Sequence, residues 1–144
     1  MKKMKYFIIL FGIVSIFLVG CSNGTAKEEQ YITVQNHNGE ENKYDDINEI
    51  TDNDQVQKVE EILSDSNWVK SIVDMVRPAD YRFIIAFKNP KIKAVPIYYE
   101  LWISPNMDKV ELVLDTEHKY VQLDKSKSAE LFKILTGKEL SDLK

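Results

Sequence analysis

Short alternating runs of apolar residues, joined by loops too short for a crossover, constrain the fold of this chain more than any other feature. Such runs occupy residues 81–87, 97–103 and 110–115, and a fourth covers 120–124 after the turn "TEHK". Alternation with a period of two is typical of strands that bury one face. A parallel connection needs a dozen or more residues, so strands joined by such loops pair antiparallel. The sequence therefore predicts an antiparallel sheet.

An N-terminal hairpin and a helix precede these strands. The turn signal "NHNG" separates a strand at 31–35 from a second strand near 45–51. Apolar residues at helical spacing then predict an amphipathic helix from 54 to about 64. Either Asp52 or Asp54 can cap its N-terminus by accepting hydrogen bonds from free backbone amides. The chain thus changes from strand to helix near residue 52.

A second helix closes the chain. It follows Asp124 or Ser126 as the capping residue and ends at Gly137, where helix C-termini favour glycine. Between the first helix and the strands, residues 68–76 form a short helical or irregular piece. The predicted fold class is α+β, with an antiparallel β-sheet of about four to six strands and two main helices packed on one face. Residues 30–144 form one domain of this kind.

The N-terminus has the pattern of a secretory signal. Lys2, Lys3 and Lys5 precede an uncharged, mostly apolar run from Tyr6 to Val19. This run is shorter than the roughly 20 residues that a membrane-spanning helix needs. Residues 1–20 are therefore predicted to be a removable signal peptide.

The end of this signal resembles the lipobox of bacterial lipoproteins, because Leu18, Val19 and Gly20 precede Cys21. The resemblance implies cleavage between Gly20 and Cys21 and transfer of diacylglycerol to the Cys21 thiol. Two acyl chains hold a protein stably at a membrane, whereas one holds it weakly. Cys21 is the only cysteine, so a disulfide would have to be intermolecular. A catalytic thiol needs a structured basic environment, whereas residues 21–29 are predicted to form a flexible tether.

A lipoprotein of this kind is held at the extracytoplasmic face of the cell membrane. Lysine outnumbers arginine 17 to 2, a bias of AT-rich genomes that hints at a Gram-positive host. Residues 21–54 contain nine acidic residues and two lysines, which places the excess negative charge near the tether. An acidic segment there is either a solvated linker or a spacer repelled by anionic lipid. Because no basic patch is present, no nucleic-acid partner is predicted.

A second resemblance covers most of residues 31 to 136. It is carried by the succession "ITDNDQVQKVEEIL", "NW", "PADYRFIIAF", "YYELWI" and "YVQLDKSKSAELFKIL". This order of elements resembles the YhfM-like domain of small, uncharacterised lipoproteins from Gram-positive bacteria. The resemblance implies a lipoprotein and brings no established activity or site.

Residues that would carry enzyme or metal chemistry are sparse. The two histidines, His37 and His118, fall in predicted turns and lack metal-ligand spacing. Asp52 and Asp54 match the first ligands of a calcium loop, but Val56 stands where the next oxygen ligand is required. No metal or cofactor is therefore predicted, and an enzyme is the least favoured interpretation.

The outer side of the predicted sheet provides the candidate binding face. In "IYYELWI", residues Ile97, Tyr99, Leu101 and Ile103 are predicted to face the core, which turns Tyr98, Glu100 and Trp102 outward. Simple hairpins would place Arg82 and Glu111 opposite Trp102, with Tyr120 on the same face. Trp, Tyr and Arg dominate protein-binding hot spots. The candidate binding face consists of Arg82, Tyr98, Glu100, Trp102, Glu111 and Tyr120.

A purely structural role for these residues competes with the binding interpretation. Trp102 could stack on Arg82 as a cation–π pair, or the N-terminal hairpin or residues 68–76 could cover the face. The leading functional hypothesis is a membrane-tethered binding module with an envelope protein or polymer as its partner. The alternative is a structural or regulatory accessory subunit of an envelope complex.

Overall fold

The structure, a computed structural model, describes residues 27–143. The predicted signal peptide, the lipidation site at Cys21 and the first part of the predicted tether lie outside these residues. In chain order the main elements are β1 (Gln30–His37), β2 (Tyr44–Ile50), α1 (Asn53–Ser64), β3 (Val69–Lys70), β4 (Tyr81–Phe87), β5 (Ile97–Ile103), β6 (Val110–Leu114), β7 (Lys119–Gln122) and α2 (Lys125–Thr136). Two short 3₁₀ turns cover Asp115–Glu117 and Leu140–Leu143.

In the described part of the chain, seven strands form one sheet in the order β2-β1-β4-β5-β6-β7-β3, and every neighbouring pair is antiparallel. The predicted α+β class and antiparallel sheet are confirmed. The predicted count of four to six strands is wrong. The element missed is β3, in which Val69 pairs with Tyr120 and Lys70 with Lys119. Two residues are too few to show an alternating pattern.

Both helices begin at aspartate caps. The Asp52 carboxylate accepts a hydrogen bond from the Gln55 amide at 2.9 Å, and the Asp124 carboxylate accepts one from the Lys127 amide at 2.8 Å. Of the capping alternatives, the structure selects Asp52 and Asp124. Gly137 ends α2 in the left-handed conformation with φ at 73°, which a side chain would strain.

The two helices pack on one face of the sheet, called here the inner face. Their apolar residues and those of the strands form one buried cluster. The helices contribute Val56, Val59, Ile62 and Leu63 from α1 and Leu131, Phe132 and Leu135 from α2. The strands contribute Ile32, Val34, Ile50, Phe83, Ile85, Leu101, Val110, Leu112 and Val121. This cluster is the main core of the described residues. Ser128 is also fully buried. Its hydroxyl group is not left unpaired, because Oγ accepts a hydrogen bond from the Val110 amide at 2.9 Å.

The opposite face of the sheet, the outer face, is partly covered by an irregular segment, residues 71–80, called here the strap. The Ser71 amide donates to the His118 carbonyl at one end of the sheet. The Asp80 amide donates to the Leu101 carbonyl towards the other end. The strap therefore crosses the outer face diagonally. No helix forms between residues 68 and 76, so the irregular alternative is correct there apart from β3.

The two ends of the sheet differ in what they carry. At the proximal end, defined here by the start of β1 at Gln30, lies the β4–β5 loop, residues 88–96. At the distal end lies the β1–β2 turn with Glu40 and Glu41. The negative charge of residues 21–54 is thus divided between both ends rather than gathered near the tether. Within residues 27–143, no helix is long and apolar enough to cross a membrane.

Candidate functional site

Arg82 and Glu100 of the predicted binding face lie side by side on the outer face. Glu100 Oε1 accepts hydrogen bonds from Arg82 Nε at 3.0 Å and Nη2 at 2.8 Å. The register places Arg82 opposite Glu100, so the predicted position opposite Trp102 is wrong by two residues. The Arg82 guanidinium stacks 3.8 Å from the centre of the Tyr44 ring. The N-terminal hairpin thus supplies the aromatic partner that was expected to be Trp102.

Trp102 is not part of an exposed face. Its side chain is only 5% exposed and packs with Ala79 and Val113 in a small cluster under the strap. Its Nε1 donates to the Arg77 carbonyl at 2.9 Å. The prediction of an exposed Trp102 is therefore wrong, because the strap crosses the sheet above it. The competing interpretation, a covered face, is correct at this position.

Glu111 and Tyr120 lie where the hairpin register was expected to place them. Glu111 pairs with Trp102 across β5 and β6. The Tyr120 hydroxyl donates to Glu111 Oε1 at 3.2 Å, and burial together with the Glu111 charge raises the pKa of Tyr120. Both groups are thus occupied within the fold, and Tyr120 is half-buried against the Trp102 cluster.

A groove lined by polar side chains, called here the polar groove, opens on the outer face. It has a volume of about 270 Å³ and is lined by Gln35, Arg82, Tyr98, Glu100, Asp115 and Thr116. Tyr98 is 50% exposed and is the aromatic ring in this groove. The structure therefore keeps Arg82, Tyr98 and Glu100 together at a surface and removes the other three predicted residues from it.

A larger cleft of about 660 Å³ opens on the inner face at the proximal end. It lies between α1 and the proximal ends of β4, β5 and β6. Apolar residues line its floor and one wall, and they are Leu63, Trp68, Ile85, Ile97, Tyr99 and Leu114. Cavities of 300–1,000 Å³ with apolar linings and a few polar groups are typical of ligand sites.

Aromatic rings are held in fixed positions in this cleft. Tyr99 stacks on Phe83 with centroids 4.9 Å apart, and Trp68 packs against Tyr99 at 6.1 Å. The Trp68 Nε1 donates to the Leu63 carbonyl at the end of α1, at 2.7 Å. Because these stacking and hydrogen-bond contacts fix both rings, the floor is preorganised for an apolar group.

Charged side chains form the rim of the cleft. Lys27 pairs with Glu60 of α1, and Lys119 pairs with Glu117 on the opposite side. Burial raises the pKa of the Tyr99 phenol, and the charges of Glu117 and Glu60 raise it further. The cleft thus combines an apolar floor with a polar mouth. Lys27, the first described residue, lies at that mouth.

Sequence patterns missed this cleft. Ile97 was predicted to be core, but its side chain is 42% exposed at the cleft, where α1 presents polar residues such as Gln57 and Glu60. The alternation of residues 97–103 correctly places Ile97 and Tyr99 on the inner face. It contains no signal for how far a helix extends across that face, so an open floor looks the same as a covered one.

Residues 27–143 contain no group of three or more His, Cys, Asp or Glu side chains placed to hold a metal ion. His37 ends β1 at the distal end, and His118 lies in the turn before β7 at the proximal end. The two histidines are therefore too far apart to act on one ligand.

The fold and the cleft define a small α+β domain in which seven antiparallel strands carry two helices on one face. A family model described as YhfM protein matches residues 25–141. The chain belongs to this family, which confirms the YhfM-like resemblance of residues 31–136. No curated protein matches the chain, and no solved structure does.

Proposed function

We propose that the protein is a lipoprotein of the cell envelope whose domain acts as a membrane-tethered binding module. The anchor is diacylglycerol on Cys21, at the extracytoplasmic face of the cell membrane. This part of the proposal rests on the signal pattern and on the lipobox residues Leu18 to Cys21. The binding part rests on the inner-face cleft.

The preorganised aromatic floor of the cleft is the observation that carries the binding proposal. Trp68 and Tyr99 present ring surface to an open space, and Ile85, Ile97 and Leu114 continue that surface. The rim offers two lysines and three glutamates, of which Glu60 and Glu117 pair with the lysines. The ligand class that fits is amphipathic, with an apolar chain or ring on the floor and a polar group at the mouth.

A matched pair of variants tests the cleft. Ile97 and Ile47 are both isoleucines on strands, 42% and 44% exposed, and only Ile97 lines the cleft. We expect Ile97→Lys to abolish binding of the uncharged apolar dye Nile red by the soluble chain from Ser22 onward. Ile47→Lys should leave dye binding unchanged. Equal dye binding by both variants, measured by fluorescence titration, would contradict the cleft as the binding site.

The anchor is tested separately in cells. Cys21→Ala should release the protein from the membrane fraction or leave it unprocessed with its leader, whereas the exposed substitution His118→Ala should not. Cell fractionation and mass spectrometry of the N-terminus distinguish these forms. A processed, unlipidated protein that stays in the membrane fraction would contradict the anchor.

A second function, an accessory subunit of an envelope complex, is favoured by a different observation. Val69 in edge strand β3 and Ile72 and Val76 in the strap are exposed apolar side chains, with Ile72 at 82%. A permanent partner would bury them. Sedimentation of the soluble chain separates the two functions, because a monomer favours the binding module and self-association favours the subunit.

A further inference from the structure

The β4–β5 loop carries an unusual exposed apolar run. Ala94, Val95, Pro96, Ile97 and Tyr98 are all exposed and follow each other in sequence. Val95 is 84% exposed. Runs of this length are unfavourable on a soluble domain unless they contact something. Ile97 lines the cleft, whereas Val95 and Tyr98 lie outside it.

The base of this loop is bonded to the start of the domain. The Lys88 amide donates to the Glu29 carbonyl at 2.9 Å, and Lys88 Nζ donates to Glu29 Oε2 at 3.2 Å. Lys88 Nζ also donates to the Thr51 carbonyl at 2.8 Å. The loop is therefore fixed beside the chain that leads back to Cys21.

The length of chain between the anchor and the domain limits how far this end can lie from the membrane. Lys27 follows Cys21 by six positions in the chain. A fully extended chain of that length spans about 21 Å. A diacylglycerol on Cys21 would thus keep the proximal end, with its loop, within reach of the lipid headgroups.

The charges of the loop suit an anionic lipid surface. The loop contains three lysines and no acidic residue, whereas the chain as a whole has a net charge of −4. Lys91 and Lys93 are exposed, and neither forms an ion pair with another residue of 27–143. Basic side chains next to exposed apolar ones are typical of segments that bind at membrane interfaces.

We propose that residues 91–98 dock on the anionic surface of the membrane that holds the anchor. Lys91 and Lys93 contact lipid phosphates, and Val95, Ile97 and Tyr98 enter the headgroup region. This docking turns the mouth of the cleft towards the bilayer, which fits an amphipathic ligand taken from the membrane. The proposal rests on the proposed lipidation of Cys21.

The test uses the lipidated full-length protein in vesicles of phosphatidylcholine and phosphatidylglycerol. Lipidation consumes the thiol of Cys21, so a single introduced cysteine is the one free thiol. The variant Val95→Cys is labelled with a polarity-sensitive fluorophore, and Val76→Cys is its control. Val76 is fully exposed on the strap and precedes Arg77, which donates to the Ile103 carbonyl at the distal end of β5. Both substitutions are at exposed sites and should preserve folding.

We expect blue-shifted emission and loss of iodide quenching at position 95, and neither effect at position 76. Replacing Lys91 and Lys93 by glutamine should lower the ratio of protected to quenched label at position 95 about fivefold for each lysine. Equal iodide quenching at positions 95 and 76 in anchored protein would overturn the docking and leave the anchor intact. Labelling of Cys21 itself, with protein lost from the vesicles, would overturn both proposals. Protection at position 95 that appears only in native membranes would assign the run to a protein partner and overturn the lipid contact.

Discussion

The two faces of the sheet are buried by different means. On the inner face, two capped amphipathic helices bury one large cluster that includes residues from most strands. On the outer face, the irregular strap buries three residues, Ala79, Trp102 and Val113, with three others packed around them. The comparison shows that regular elements provide most of the core, while the outer face depends on a few specific contacts.

Those outer-face contacts are concentrated at one end of the strap. Arg77 Nη2 donates to Asp80 Oδ2 at 2.9 Å, and Asp80 Oδ2 accepts from the Ile103 amide at 2.7 Å. The Tyr44 hydroxyl donates to the Ala79 carbonyl at 2.9 Å. Residues 72–76 have fewer partners and leave Ile72 and Val76 exposed. Local opening of the strap should therefore begin in this part and cost less than opening of either helix.

The largest effect is expected on the inner face. Phe132 of α2 is fully buried and meets Tyr81 edge-to-face with centroids 5.6 Å apart. Phe132→Ala should lower the free energy of unfolding by about 4 kcal/mol, because it removes buried area and leaves a cavity. Urea unfolding followed by circular dichroism measures the loss. A loss for Phe132→Ala below that for Trp102→Ala would contradict the asymmetry. If the alanine variant does not fold, that itself indicates the larger loss, and the milder Phe132→Leu gives a measurable value.

A smaller but substantial loss is expected for Trp102→Ala on the outer face. The side chain is buried and its Nε1 bond to Arg77 is lost, so the expected loss is about 3 kcal/mol. The strap can collapse partly into the space, which keeps the loss below that of Phe132→Ala. Dye binding in the cleft should not change, because the cleft opens on the other face. A loss under about 1 kcal/mol would return Trp102 to the exposed face that the sequence predicts.

Local patterns predicted the elements well because each element has its own signal. The alternation at 81–87 and 97–103 matches β4 and β5 residue for residue, and the spacing of Val56, Val59 and Ile62 marks α1. β3 was missed because its pairing with β7 is a tertiary contact of two residues. The path of the strap also depends on tertiary contacts, because Trp102 and Tyr44 fix its position. Its own sequence therefore does not predict where it lies.

The candidate site could be predicted only in part. Alternation correctly assigned Trp102 and Tyr98 to the outer side of β5, but burial differs between them because the strap covers one and not the other. The pairing of Arg82 with Glu100 depends on strand register, which the long β4–β5 loop leaves undetermined in the sequence. The inner-face cleft depends on how α1 lies over the sheet, and no local residue pattern encodes that placement.

Tyr99 in the cleft should make the stability of the protein fall at alkaline pH. Burial raises the pKa of Tyr99 above that of a phenol in the unfolded chain. The neutral phenol therefore contributes stability that is present below a pH of about 10 and is lost as the pH rises through the higher folded-state pKa. Tyr99→Phe should flatten the fall of melting temperature between pH 9 and about 11, as followed by calorimetry. An unchanged slope would mean that the phenol is as well solvated as in the unfolded chain.

The smallest effect is expected in the polar groove of the outer face. Arg82 and Glu100 are each about one-third exposed, at 32% and 29%, so solvent screens their attraction. Glu100→Gln should lower the free energy of unfolding by about 0.5 kcal/mol. Most of this loss should disappear in 1 M salt, where the screening length falls to about 3 Å. Glu49→Gln, at an exposed glutamate of β2, is the matched control and should show no salt-dependent difference. A loss above 2 kcal/mol for Glu100→Gln would show that the outer face is held together by this pair and not by the cluster around Trp102, because removing a well-buried charge partner costs several kcal/mol.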